Sequence, residues 1–233
     1  LMREPLKLYD LAGADERVRF SPNCWRTRFA LAHKGLPCET VVWRFMEKDA
    51  IAFSGQGKVP VLVDGTRHVH DSWAIAIYLE DTYPDRPSLF GGAAGRGLAR
   101  FVNQWTSEAV HPAIAKVVLP DLVDILHEGD RDYFRSTREA AFGTTVGALR
   151  AARDENIAAL RATLRPLRST LADQKFLAGD APNYADHVAF SAFLWAHAST
   201  PVKILAEDDT LNAWCDRMFD AYDGLARSLP AAA

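Results

Sequence analysis

Only three cysteines occur in 233 residues, Cys24, Cys38 and Cys215, and they are widely spaced. A disulfide framework needs pairs, so this usage argues against one and fits a reducing cytoplasm. No apolar run approaches the roughly 20 residues that a membrane-spanning helix needs. The start, Leu1-Met2-Arg3-Glu4-Pro5, lacks the apolar stretch of a signal peptide, and Leu1 ahead of Met2 is set aside as a processing remnant. An excess of one charge is also missing: 27 Lys and Arg stand against 30 Asp and Glu, a formal net charge of -3 with no basic tail or stripe. Nucleic-acid affinity rests on clustered cations, so a dedicated nucleic-acid binder is excluded. The histidines form no metal pattern. His68 and His70 share one face of a strand with no cysteine or third histidine nearby, so no metal site is expected. The acidic run Glu207-Asp208-Asp209 reads as a solvated loop or helix entry.

What remains is an ordinary globular composition, 48% hydrophobic and 24% charged, in a chain long enough for one large or two modest domains. The first eighty or so residues alternate between strand and helix patterns. Lys7 to Leu11 reads as a strand. Pro22 to Lys34 reads as a helix, with Ser21 as N-cap, Pro22 at the first helical position and Gly35 as the stop. Thr40 to Trp43 is a second strand, expected parallel to the first across a right-handed crossover. The segment Glu47 to Lys58 is ambiguous, a short helix with a glycine-containing loop. Val59 to Val63 is a third strand, Asp64-Gly65 a hairpin signal, and Arg67 to His70 a fourth strand. Ser72 to Tyr83 then reads as a helix.

The breaker-rich stretch from Tyr83-Pro84 to Phe90-Gly91-Gly92 marks a domain linker. This division predicts an α/β domain over residues 1–84, a linker over 85–92 and an all-α domain over 93–233. Beyond the linker the strand signals almost vanish. Ile157, Leu160, Leu164, Leu167 and Leu171 recur at helical spacing, with Pro166 expected to kink or end that helix. Asn183-Tyr184-Ala185-Asp186, ahead of an apolar run, has the form of a capping box.

Three short motifs carry chemistry. Ser21-Pro22-Asn23-Cys24 sits where a strand gives way to a helix, whose first turn offers free N–H groups and partial positive charge. A hydroxyl there can donate to a thiolate and lower a thiol pKa from about 8.5 toward neutrality. The plainer alternative is a helix cap alone. The spacing is also that of a Cys-Pro-x-Cys redox motif with serine first, but thiol–disulfide exchange needs a thiolate at that position. Cys24 is expected to face the core. If the Val59–Pro60 bond is cis, the Val59 backbone turns outward and pairs with an extended peptide; an ordinary trans bond is the alternative. Asp71-Ser72 opens a helix, so it serves as a cap or holds a ligand's ammonium and carboxylate.

Taken together and in this order, these motifs resemble glutathione transferases along nearly the whole chain, through Ser21-Pro22-Asn23, Val59-Pro60, Asp71-Ser72, Tyr78-Leu79 before Tyr83-Pro84, and Asn183 to Asp186. The stretch from Ser21 to Leu31, with Asp71-Ser72-Trp73 and Phe193-Leu194-Trp195, is similar to the branch that holds fungal serine-type transferases and bacterial β-aryl etherases. The resemblance implies a thioredoxin-like N-terminal domain with a mixed four-stranded sheet, followed by an all-α C-terminal bundle. It also implies glutathione as co-substrate, with Ser21 activating its thiol. Val59 would pair with the cysteinyl backbone beside Pro60, Asp71 and Ser72 would hold the γ-glutamyl group, Lys58 would reach the glycyl carboxylate, and Asn23 would complete the site. A cytoplasmic homodimer acting on a hydrophobic small molecule, in detoxification or aromatic catabolism, follows from the same likeness. The chain stops at Leu229-Pro230-Ala231 without the long tail of some etherase-branch members, a departure that bears on the ether substrate and not on the glutathione chemistry.

The helix from Gly97 to Leu119 is expected to face this site. Phe101, Trp105, Ile114 and Val118 would wall an apolar pocket, His111-Pro112 would bend the helix and supply a polar group, and Trp43 and Phe45 would close the pocket. An aromatic stripe at helical spacing also suits a core. Two other readings stay open: a non-catalytic carrier of glutathione and apolar ligands, and an interaction domain that keeps the fold without the site.

Overall fold

The structure is a computed structural model that describes residues 5–233; Leu1 to Glu4, on which the export-signal reading rests, lie outside the described residues. Strand β1 (Leu6–Leu11) leads through a loop to α1 (Pro22–His33), and β2 (Cys38–Trp43) returns parallel to β1. A 3-10 turn (Lys48–Ser54) precedes β3 (Val61–Asp64), which pairs antiparallel with β1 and with β4 (Arg67–His70). The sheet order is β2-β1-β3-β4, and α2 (Ser72–Thr82) follows. This is a thioredoxin-like sheet with one antiparallel half.

Each strand boundary has a local cause. Leu6, Leu8 and Asp10 of β1 are buried while Lys7 is exposed, the two-residue period of a strand lying against a core. β3 starts two residues later than the apolar run implies, because Pro60 has no N–H to give a ladder; the Val59–Pro60 bond is cis. The hairpin loop is Gly65-Thr66, with Asp64 paired to Arg67, and Gly65 has a φ of +59° that favours glycine.

The remaining helices are α3 (Ala93–Trp105), α4 (His111–Ile125), α5 (Glu128–Phe142), α6 (Val146–Ala151), α7 (Arg153–Thr163), α8 (Arg165–Thr170), α9 (Tyr184–Ser199) and α10 (Leu211–Gly224). The single helix expected over Gly97 to Leu119 is α3 and α4 joined by a π-turn at Thr106–Val110, where the His111 N–H reaches back to the Thr106 carbonyl. Pro112 can donate no ladder hydrogen bond just beyond that turn, which explains why the regular helix is interrupted there. Pro166 has the other expected effect: α7 ends before it and α8 begins with it near its first position. Among the described residues no helix is long and apolar enough to cross a membrane.

Helix α9 is the central pillar, and its N-terminus is closed by the capping box. The Asn183 side chain accepts from the Ala185 N–H at 2.9 Å, and Asp186 Oδ2 accepts from the Asn183 N–H at 3.2 Å. Asp186 Oδ1 accepts further from the Leu177 N–H at 2.9 Å and from Trp214 Nε1 at 3.0 Å, which ties α10 to α9. Burial pushes this carboxyl up to about 6, while its N–H donors pull the other way. Against α9 lies α1, with Phe29 stacked on His187 at 5.5 Å and tilted toward Phe190 at 5.9 Å. The Tyr184 hydroxyl donates to the Ser72 carbonyl at 2.8 Å, so the pillar also holds the start of α2.

The Asp186→Ala variant would orphan three N–H donors in a dry interior. We expect it to lose about 3 kcal/mol or more of unfolding free energy in urea, against about 1 kcal/mol for removal of an exposed cap. A loss below about 1 kcal/mol would show that this network does not hold α9 in place.

Candidate functional site

The cleft is built from the ends of elements. β1 ends against α4: the Ala14 N–H donates to the Ile125 carbonyl at 2.8 Å, and a Cβ on Gly13 would lie 2.6 Å from that oxygen, so only glycine fits. The loop after β2 is held from the other side by buried Asp130 near the start of α5. Its two oxygens accept from the Phe45 N–H at 3.1 Å and the Met46 N–H at 3.0 Å. Between these anchors two cavities open side by side, of about 410 Å³ and about 790 Å³. Asn23, Gly57, Lys58, Val59 and Ser107 border both, so they are two halves of one cleft.

The smaller half is apolar. Ser21 stands in it at the head of α1 among Phe20, Trp43, Phe45, Phe134 and Trp195. Ser21 Oγ accepts from the Cys24 N–H at 3.3 Å, so the hydroxyl hydrogen is left to point elsewhere. Lys48 braces the wall, with Nζ on the Gly57 carbonyl at 2.7 Å and 4.9 Å from the centre of the Trp43 ring. His111 also lines this half. Burial first, and then the charge of Arg26, pushes its imidazole down to about 3, so it is neutral at any ordinary pH.

The larger half is polar, bordered by Lys58, Pro60, Asp71, Ser72, Arg26, Arg100 and Asn103. Among the described residues, the Val59 N–H and carbonyl have no hydrogen-bond partner. The loop before them is shaped by Gln56, whose Oε1 accepts from the Lys58 N–H at 2.7 Å while Nε2 donates to the Lys58 carbonyl at 2.9 Å. Asp71 sits at φ +72° and ψ 126°, a positive-φ conformation outside the αL well that side-chain-bearing residues rarely adopt. Its Oδ1 caps α2, accepting from the Trp73 N–H at 3.0 Å and the Ala74 N–H at 2.9 Å, and Oδ2 is left for another donor.

The sequence-derived set is therefore partly gathered. Ser21, Asn23, Trp43, Phe45, Lys58, Val59 and His111 line the apolar half, and Asn23, Lys58, Val59, Pro60, Asp71 and Ser72 line the polar half. Phe101, Trp105 and Ile114 line neither, nor does Val118. Phe101 is 70% exposed, Trp105 is half-buried beside the core, and Ile114 and Val118 are fully buried within it. The cause is rotational: Arg100, Asn103, Gln104 and Ser107 hold the cleft face of α3 and the π-turn, and Phe101 and Trp105 lie one residue, roughly 100°, further round. Arg26 and Asn103 were missed. Arg26 follows Asn23 by one helical turn, and that shared face was the available signal. The α5 wall, Tyr133, Phe134 and Phe142, carries no motif that would have revealed it.

Cys24 is fully buried, and burial pushes its thiol well above the usual range, with Asp10 adding to the shift. Burial raises the Cys38 thiol to about 12 and the Cys215 thiol upward as well. A thiolate is thus disfavoured at every cysteine in the folded protein. We expect Ellman's reagent at pH 8 to leave Cys24 unmodified in the native state and to modify it on unfolding in urea. Rapid native reaction at Cys24 would revive redox chemistry at this turn.

Comparison with known proteins bears on the same cleft. Residues 20–82 match the family described as "Glutathione S-transferase, N-terminal domain", and residues 97–219 match "Glutathione S-transferase, C-terminal domain". The chain is similar to the glutathione S-transferase-like protein ustS of Aspergillus flavus, 30% identical over 226 residues, covering 83% of this chain and 80% of that one. Among solved structures it is similar to glutathione transferase GSTFuA3 of Phanerochaete chrysosporium, at 26% identity and a TM-score of 0.77 over 97% of this chain and 95% of that one. A glutathione S-transferase of Ceriporiopsis subvermispora, solved in complex with glutathione, gives the same identity, TM-score and coverage.

Proposed function

The chain belongs to the glutathione S-transferase family, and from that premise we propose that it activates the thiol of glutathione at Ser21 for attack on a hydrophobic, aromatic electrophile. The observation that carries this reading is the divided cleft. A polar half suited to a charged peptide adjoins an apolar half suited to a ring, and the head of α1 faces the apolar half with a serine hydroxyl.

In this proposal glutathione lies in the polar half. Its cysteinyl backbone pairs with the unpartnered N–H and carbonyl of Val59, in the manner of an added strand. Its ammonium pairs with Asp71 Oδ2, and its γ-glutamyl carboxylate meets Ser72 at the N-terminus of α2. Lys58 reaches the glycyl carboxylate, with Asn23 beside the cysteinyl group. The sulfur then points into the apolar half beside Ser21, where the hydroxyl and the free N–H groups of the first turn of α1 favour the thiolate. The aromatic wall holds the second substrate in line with the sulfur, which converts a collision into a positioned displacement.

Residues 1–84 would supply the glutathione site and residues 93–233 most of the second pocket, with residues 85–92 as the linker. Ether cleavage is the narrower form of this proposal. It is supported by Trp195 of the Phe193-Leu194-Trp195 stretch, which lines the apolar half. A cytoplasmic homodimer completes the reading.

A glutathione-dependent screen with a simple aryl halide and a model β-aryl ether tests it. We expect turnover of the halide at least, and a drop of roughly 10- to 100-fold in kcat/KM for Ser21→Ala, the scale of one hydrogen bond to a charged group. Unchanged turnover in Ser21→Ala across the panel would refute the role given to that residue. For Asp71→Asn, which keeps the Oδ1 cap and removes the charge, KM for glutathione should rise about tenfold, the scale of one charge-assisted hydrogen bond, with kcat less affected. An unaltered KM would move the ammonium site elsewhere.

A further inference from the structure

Arg26 poses a problem that the proposed reading does not absorb. Its side chain is almost wholly buried, yet among the described residues no carboxylate lies within ion-pair distance of it. Nη1 donates to Asn103 Oδ1 at 3.0 Å, Nη2 lies 3.2 Å from His111 Nε2, and Nε has no partner. A buried cation at the border of the polar half, with the Asp71 charge acting on it from beyond ion-pair distance, places a donor on a neutral ring, and that contact has a geometric consequence.

A guanidinium has donors only, so His111 Nε2 must accept and carries no proton. An imidazolium would place a second N–H against the guanidinium and is excluded by the same contact. The remaining ring proton is therefore on Nδ1. That atom has no hydrogen-bond partner among the described residues and is not sealed from solvent, and His111 lines the apolar cavity edge-on to Trp195, with ring centres 5.8 Å apart. The push of the imidazole down to about 3 agrees with the neutral form.

We propose that Arg26 locks His111 as the Nδ1–H tautomer, and that this N–H binds the carbonyl oxygen of the second substrate, so that the favoured electrophile is an aromatic enone. The inference rests on the transferase reading and names its substrate class. In the step, the glutathione sulfur attacks the β-carbon and a C–S bond forms. The alkene π pair moves toward the carbonyl, whose own π pair goes onto oxygen as an enolate. His111 donates a hydrogen bond to that oxygen and keeps its proton. The α-carbon then takes a proton from solvent, which balances the one released when the thiol became a thiolate. An N–H placed where charge develops, inside an apolar wall, is worth more than the same group in water. His111 is thus a catalytic residue in this proposal, and Arg26 a positioning residue that acts through it.

Two measurements test the assignment. Long-range proton–nitrogen correlation spectra of protein labelled with ¹⁵N-histidine, at pH 7, should show His111 protonated on Nδ1 and bare on Nε2. Arg26→Met should let the Nε2–H tautomer appear. An Nε2–H tautomer in the native protein overturns the proposal. In kinetics with 4-phenyl-3-buten-2-one and with benzyl chloride, which has no acceptor oxygen, His111→Phe should lower kcat/KM for the enone at least tenfold more than for the chloride. His111→Asn, which returns an N–H near the Nδ1 position, should recover part of the difference. Equal losses on the two electrophiles overturn the role of the N–H. Wild-type turnover of the chloride and not the enone overturns the carbonyl assignment alone, and turnover of neither overturns the transferase reading beneath it.

Discussion

The first turn of α1 is the constraint on which the rest of the cleft depends. A helix N-terminus leaves N–H groups without partners, and a serine placed there can accept one of them through its oxygen while keeping its own hydrogen to give. Ser21 accepts from the Cys24 N–H in this way, inside a wall of aromatic rings. Cysteine at the same place would bring its own sulfur to the turn. Serine supplies only a donor, so a sulfur activated here must arrive with a ligand. That asymmetry makes the adjoining polar half of the cleft necessary to the proposed chemistry.

Such a turn is useful only if the surrounding structure holds it still. Here the scaffold does so with groups that bridge distant parts of the chain. Phe29 and His187 press α1 against α9, the Tyr184 hydroxyl holds the Ser72 carbonyl, and Asp130 grips the loop after β2 through two backbone N–H groups. Lys34 adds a buried brace, its ammonium 2.8 Å from Glu80 and within reach of the Tyr83 and Pro87 carbonyls. These contacts fix backbone positions on both sides of the cleft. The cavity walls can then be apolar and loosely filled without letting the helices close on each other.

Much of the sheet domain was legible because its signals are local. Ser21 and Pro22 mark a helix start by what their atoms can and cannot donate, Gly35 marks a stop, and the Asn183–Asp186 box marks another start, each within a few residues of sequence. The β-branched runs gave the strands for the same reason. The lining of the polar half was legible too, since Val59, Asp71 and Ser72 occupy backbone-exposing or capping positions that local sequence marks. The apolar half was legible only in part: Trp43, Phe45 and His111 line it, and the α3 residues expected there do not. Phe101 and Trp105 form a good stripe, but which way a stripe faces is decided by the helix it packs against, and that is a long-range matter. Polar Arg100, Asn103 and Gln104 took the cleft face instead. Arg26 was hidden differently: a cation on a helix reads as solvent-facing, and only its contacts with Asn103 and His111 show it to be buried.

The most direct measurement is the thiolate absorbance of glutathione bound to the wild-type protein and to Ser21→Ala, followed in the ultraviolet as pH is raised. A thiol stabilised as its anion by Ser21 and the head of α1 should titrate at least about one unit below the free value of about 8.5 in the wild type, and return most of the way toward it in Ser21→Ala. A bound thiol that titrates at the free value in the wild type, or at the same lowered value in both proteins, would contradict the role assigned to Ser21.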